Sequence, residues 1–126
     1  MVSPEQAQWV EALARILLGS LFVIGGLHHL PIFGALSSQL AQRGVPLPRL
    51  ALGLSTAWQI VLGVLLMAGL WVPWAALGLI VFTIVASLLL LNFWSMEGHA
   101  RDGAMNQFLT NVAVIAGLLL AAVMAR

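Results

Sequence analysis

Residues 92–111 read NFWSMEGHARDGAMNQFLTN and form a long polar passage between two long apolar runs. An apolar run of about 20 residues is enough for a helix to cross the hydrocarbon core of a bilayer. The passage therefore marks a place where the chain leaves one membrane-spanning helix and enters the next. Its polar and aromatic side chains, which include Trp94, His99 and Asn111, are candidates for function.

The composition of the whole chain indicates a membrane protein. The chain has 126 residues, of which 62% are hydrophobic and 7% charged, and its mean hydropathy is +1.06. A soluble domain of this size leaves too much of its surface in water to hide so many apolar side chains. The net charge of +1 argues against a nucleic-acid surface. Because there is no cysteine, disulfides and thiolate metal sites are excluded, and redox chemistry would need a bound cofactor or a quinone.

Four apolar runs are long enough to span the bilayer, and they lie near residues 10–30, 50–70, 73–94 and 105–125. Each should be helical, because an α-helix satisfies its own backbone polar groups within the hydrocarbon region. We therefore predict an all-α integral membrane four-helix bundle, with residues 1–126 forming a single transmembrane domain. Residues 32–43 are too short and too polar to span, and their one apolar side predicts a short interfacial helix between the first two spans.

The N-terminal segment MVSPEQAQWVE is acidic where a signal peptide would be basic, so we expect the first apolar run to remain as a span. Glu11 and Arg15 are four residues apart on this helix and are expected to form an ion pair near its end. Trp9, Trp71 and Trp74 should all lie at the same end of the bundle, as an aromatic belt.

The polar residues are distributed unevenly between the two ends of the predicted bundle. With four antiparallel spans, the end of the first, the start of the second, the end of the third and the start of the fourth meet at one end, which we call the polar end. Polar side chains at membrane depth are costly and often line a cavity. We therefore predict a ligand pocket there, and its candidate binding residues are His28, His29, Trp58, Gln59, Asn92, Phe93, Trp94, His99, Asn106 and Asn111.

This set of side chains is typical of a site for a quinone or a similar flat amphipathic molecule. The Gln59 amide, an imidazole of His28 or His29, or the Trp94 indole could donate to a ring carbonyl. Trp58 and Phe93 could form a slot for the ring. The simpler alternative is that the amides of Gln59, Asn92 and Asn111 form hydrogen bonds between helices.

The histidines suggest a second chemistry, which is ligation of haem or zinc. His28 and His29 point about 100° apart on a helix, so only one of them can face the interior. A bis-histidine haem would also need His99, and a zinc site would need His99 together with Glu97. Histidines held by ordinary hydrogen bonds are much commoner, so we predict no metal site and do not expect haem.

The order of several residues along the chain resembles the DoxX family of four-span membrane proteins. The matching features are Arg15, Gly19, Gly25-Gly26-Leu27, Gly44-Val45-Pro46, Gly63, Gly69, Phe93-Trp94, Asn106-Gln107-Phe108 and Asn111. The resemblance implies a membrane redox role, as in subunits linked to thiosulfate:quinone oxidoreductase or to a terminal quinol oxidase, and it leaves the catalytic residues unassigned. His29, Gln59 and Thr110 stand where that family commonly has lysine, glutamate and lysine.

Two further function classes remain as alternatives. The chain could be a non-catalytic membrane anchor for a redox partner protein, or a protein that binds or transports small hydrophobic molecules. The predicted partners are the lipid bilayer, a quinone, a redox protein and a second copy in a homo-oligomer, and the predicted location is the bacterial inner membrane. Cytoplasmic loops of membrane proteins carry an excess of positive residues. The polar end should carry Arg43, Arg49 and Arg101, against Arg15 and Arg126 at the other end, so we predict that the polar end faces the cytoplasm.

Overall fold

The computed structural model describes residues 3–124, and all of its regular elements are helical. Arg126, which entered the orientation argument, lies outside the described residues, as does the last residue of the fourth predicted span. The elements are α1 (Pro4–His28), α2 (Phe33–Gln42), α3 (Pro48–Ala68), α4 (Val72–Leu90), a 3₁₀ turn (Phe93–Ser95) and α5 (Gly98–Met124).

Four of these helices, α1, α3, α4 and α5, are long and apolar enough to cross a membrane, which confirms the predicted number of spans. Helix α5 begins at Gly98, before the predicted start of the fourth span, so His99 and Arg101 lie in its first turns. Helical hydrogen bonding does not depend on lipid, so a helix can continue past the apolar segment where no proline interrupts it.

Local sequence signals explain where α1 begins and where α3 ends. Ser3 accepts a hydrogen bond from the Gln6 backbone N–H at 3.1 Å, and the Gln6 side chain accepts one from the Ser3 backbone N–H at 3.0 Å, forming a capping box at the start of α1. Gly69 ends α3 with φ +75°, a left-handed conformation that glycine adopts without steric cost. The chain then turns at once into α4.

The spanning helices form an up-and-down bundle in which neighbours are antiparallel. Helices α1 and α4 lie at opposite corners, and each packs against both α3 and α5. The closest pair is α1 and α3. A Cβ atom added at Gly63 would lie 2.9 Å from the Gly19 carbonyl, and one added at Gly26 would lie 2.6 Å from the Ile60 side chain. Glycines on both helices thus allow the close approach of α1 and α3.

The interior is small, and much of the apolar surface faces outward. Leu66, Leu79 and Leu118 are fully buried at the centre. By contrast, Leu54 is 64% exposed and Leu120 is 63% exposed, although both lie on spanning helices. Outward leucines on every side are what a bilayer environment requires, because lipid covers the surface that water would leave unfavourably exposed.

Candidate functional site

A cavity of about 220 Å³ lies between the spanning helices and has walls from all four of them. Its apolar wall includes Phe22 and Phe82, whose rings meet edge to face with centroids 6.3 Å apart. Its polar lining residues are Gln59, Thr83, Gln107, Thr110 and Asn111. We call this the central cavity. It brings together two of the predicted binding residues, Gln59 from α3 and Asn111 from α5.

Gln59 is the most deeply placed of the predicted residues, with only 5% of its surface exposed. Its Nε2 donates a hydrogen bond to the Phe22 carbonyl oxygen at 2.9 Å. Because a carbonyl can only accept, this contact fixes which end of the amide faces α1. The Oε1 atom is buried and has no hydrogen-bond partner. A buried acceptor left unpaired costs about 1–3 kcal/mol, so this atom is an unsatisfied acceptor beside the cavity.

The absence of a side chain at Gly25 provides the space for the Gln59 amide. A Cβ atom added at Gly25 would lie 2.9 Å from the Gln59 Nε2 atom. This glycine therefore admits a polar group between α1 and α3. Sequence analysis named both residues without linking them, because their contact depends on the register of α1 against α3.

Asn111 is satisfied by protein groups, unlike Gln59. Its Nδ2 donates to the Ser87 hydroxyl at 2.9 Å, and its Oδ1 accepts from the Gln107 Nε2 at 3.2 Å. Ser87 is buried on α4, so the first of these bonds joins α4 to α5. Asn111 therefore borders the central cavity while serving as a tie between two helices.

His29 lines a second cavity, of about 140 Å³, nearer the polar end. Its Nδ1 lies 2.9 Å from the Thr56 hydroxyl oxygen, which joins the end of α1 to α3. His29 follows the last residue of the α1 span, and burial, with a smaller contribution from His28, lowers the pKa of its imidazole. Phe82 and Ala86 border both cavities, so they form the partition between His29 and the central cavity.

Trp58 does not line either cavity. Its indole has the hydrogen-bond partner expected of a tryptophan at membrane depth, since Nε1 donates to the Gly78 carbonyl at 3.0 Å. The side chain is nevertheless 50% exposed on the surface formed by α3 and α4. Trp58 therefore packs at the surface between two helices, because its partner is a carbonyl on the adjacent helix and not a group in the core.

The remaining candidates lie around the end of α4 and the start of α5. Phe93 and Trp94 form an edge-to-face cluster with Phe108, with ring centroids between 5.4 and 6.2 Å apart. The Arg101 guanidinium lies 5.8 Å from the centre of the Phe93 ring. Three other predicted residues are exposed, namely His28, His99 and Asn106. Within residues 3–124 there is no group of three or more histidine and acidic side chains able to hold a metal.

Arg43 has a role that sequence analysis did not predict. It follows α2, and its Nη1 donates to the Leu89 carbonyl at 2.8 Å and to the Asn92 side-chain oxygen. It thereby caps the carboxyl end of α4, where free carbonyls and the helix dipole favour a cation. Asn92 is thus held by this arginine. The partners are more than 40 residues apart in sequence, so no local pattern indicates the contact.

Comparison with known proteins gives three results. The DoxX family model matches residues 10–92 of the chain. The chain is 26% identical over 111 residues to the inner membrane protein YphA of Escherichia coli strain K12, covering 88% of this chain and 79% of that relative. No solved structure matches it. Together with the four apolar helices, these similarities establish the chain as an integral protein of the inner membrane, as predicted.

Proposed function

Because the chain belongs to the DoxX family, we propose that it binds the ring of a quinone-class lipid in the central cavity, as a redox-associated membrane protein. The ring is bound in its reduced, hydroxyl-bearing form. The single observation that carries this proposal is the unpartnered Oε1 atom of Gln59, which is buried beside the cavity.

The hydrogen-bonding chemistry of Gln59 favours a quinol over a quinone. The Nε2 atom faces the Phe22 carbonyl, so the free end of the amide is the oxygen, which can only accept. A quinol hydroxyl donates a hydrogen bond, whereas a quinone carbonyl cannot. Pairing with a ligand hydroxyl would relieve the cost of the unsatisfied acceptor, and a quinone carbonyl placed there would face another oxygen.

The shape and lining of the central cavity suit a single ring with a long apolar tail. Ligand sites in proteins commonly measure about 300–1,000 Å³, so a cavity of about 220 Å³ is suited to a head group. The edges of Phe22 and Phe82 supply an apolar wall. Near the opposite end, α1 and α5 meet where Leu18 contacts Gly117. The tail would leave the cavity on the polar-end side of this contact, between the exposed residues Leu21 of α1 and Thr110 of α5, and enter the lipid.

Helix α2 would lie in the membrane interface and close the polar end above this site. Its buried residues are Ser37 and Leu40, and Leu40 lines the His29 cavity. Arg43 holds the end of α2 against α4. His29 and Phe82 would then both lie between the central cavity and the aqueous face.

A non-catalytic anchor for a redox partner protein, or for a second copy in a homo-oligomer, is the alternative function. It is favoured by the aromatic cluster of Phe93, Trp94 and Phe108, because Trp94 is 57% exposed at the polar end. Exposed aromatic residues are common at protein interfaces. In that case the central cavity would have no specific ligand.

The test is to purify the protein in mild detergent, extract its bound lipids and identify them by mass spectrometry. A short-chain ubiquinol and the matching ubiquinone are then titrated into lipid-depleted protein without oxygen. We expect a co-purified quinone-class lipid near one per chain, and tighter binding of the ubiquinol. Recovery of phospholipid alone, with equal weak binding of both redox forms, would overturn the proposal and favour the anchor.

A further inference from the structure

The opposite end of the bundle, where α1 begins and α3 turns into α4, contains a second pair of cavities. One measures about 560 Å³ and lies at the bundle end beside Gly69 and Val72. The other measures about 400 Å³ and runs between α1 and α5. Both are lined by Glu11, Arg15 and Met124, so they are neighbours on either side of these residues, and we call the two together the end groove.

Arg15 presents an incompletely bonded cation to the end groove. Its Nε atom is buried and has no hydrogen-bond partner. The guanidinium lies against Gly69, where an added Cβ would come 3.2 Å from Nη2. Arginine normally places its donors on a carboxylate, a phosphate or a carbonyl. A guanidinium that lacks an acceptor at Nε and borders both cavities therefore favours an anionic ligand in the end groove.

Glu11 lies one helical turn before Arg15, at the spacing that normally produces an ion pair. The expected pair is not formed between these two side chains, and both border the end groove instead. The end groove thus has one cationic side chain, Arg15, and one anionic side chain, Glu11, where its two cavities adjoin. This arrangement is complementary to a ligand that carries one charge of each sign.

Apart from Glu11 and Arg15, the part of the end groove between α1 and α5 is apolar. Between α1 and α5 its walls are Leu17, Leu18, Leu120 and Ala121. Trp9 and Trp71, which are 72% and 75% exposed, belong to the same end of the bundle. Tryptophans of this kind mark the depth of lipid head groups. The charged part of the end groove therefore lies near head-group depth, and the apolar part extends toward the acyl chains.

We propose that the end groove binds one phosphatidylethanolamine molecule. The phosphate accepts hydrogen bonds from Arg15, the primary ammonium donates to Glu11, and an acyl chain lies between α1 and α5. Phosphatidylcholine has the same two charges but no ammonium N–H to donate, and phosphatidylglycerol has no cation for Glu11. The two charged side chains would thus select among lipids that share a phosphate. This site is independent of the quinol proposal.

The experiment is native mass spectrometry of the full chain in detergent with an equimolar mixture of phosphatidylethanolamine, phosphatidylcholine and phosphatidylglycerol. We expect one tightly bound lipid, with phosphatidylethanolamine favoured about tenfold, a ratio equivalent to one strong hydrogen bond. Glu11→Gln should abolish the preference over phosphatidylglycerol while keeping a bound lipid. Arg15→Gln should lose the tightly bound lipid altogether. Arg49→Gln, at the polar end, is the matched control and should behave as wild type.

Soluble glycerophosphoethanolamine, added in excess, distinguishes a lipid site from a site for a free phosphate compound. It should not displace the lipid, because the acyl chain supplies much of the binding. Displacement by this compound, or binding of all three lipids without preference, would refute the proposal. If Arg15→Gln does not fold, the change of selectivity in Glu11→Gln still decides the matter, because simple loss of packing would weaken all three lipids equally.

Discussion

Replacing Gln59 by leucine should separate stability from ligand binding. The substitution removes the unpaired Oε1, and an unsatisfied buried acceptor costs about 1–3 kcal/mol. It also removes the bond from Nε2 to the Phe22 carbonyl, but hydrogen bonds between helices in a bilayer average only about 0.6 kcal/mol. Because leucine fills a similar volume, we expect the ligand-free variant to be about 1 kcal/mol more stable than wild type.

Quinol binding should change in the opposite direction. Loss of one hydrogen bond to a ligand hydroxyl is worth about 1 kcal/mol, which corresponds to a roughly fivefold weaker affinity. Stability would be measured on lipid-depleted protein by reversible unfolding in mixed micelles, using tryptophan fluorescence. Affinity would be measured by titrating a short-chain ubiquinol without oxygen. Gln42→Leu, on an exposed residue at the end of α2, is the control for a general gain of hydrophobicity.

The opposite pattern would refute this reasoning. If Gln59→Leu lost about 2 kcal/mol of stability and bound ubiquinol as tightly as wild type, Gln59 would be a tie between α1 and α3, and its oxygen would not be a ligand contact. Equal stabilisation by Gln42→Leu would show that the effect comes from hydrophobicity alone. Only a stabilised variant with weakened quinol binding is consistent with a site that is incomplete without its ligand.

Three other predictions test the surroundings of the site. Gly63→Ala should lower stability by about 1–3 kcal/mol, because the new Cβ would meet the Gly19 backbone, whereas Gly53→Ala, with open space, should be neutral or slightly stabilising in the same unfolding assay. Arg43→Gln should increase hydrogen exchange in α2 and in the last turn of α4 while the exchange of α3 stays unchanged, since the bond that ties the end of α2 to the end of α4 is lost. Trp58→Phe should lower stability by less than about 1 kcal/mol and leave ubiquinol affinity unaltered, because the indole donates one hydrogen bond to the Gly78 carbonyl and borders neither cavity.

The distribution of polar residues along the chain predicted which side chains share an end of the bundle but not their contacts. Gln59 and Asn111 were both expected at the polar end, and both border the central cavity. Their different situations, one with a free oxygen and one fully bonded, depend on which helix each faces. Trp58, from the same helix as Gln59, borders neither cavity for the same reason. A helix that is apolar all round has no polar stripe to show its rotation.

The sequence by itself determined the fold class, the number of spans and which residues share an end. These properties depend on the length and hydropathy of each segment against a bilayer of fixed thickness, and on counting alternate crossings. Only the tertiary structure decided the rotation and register of the helices, and so the contacts of Gln59 with Phe22, of His29 with Thr56 and of Arg43 with the end of α4. The first two contacts follow from how closely glycines let α1 approach α3, and the third joins segments more than 40 residues apart; each depends on two surfaces together and cannot be read from either segment alone.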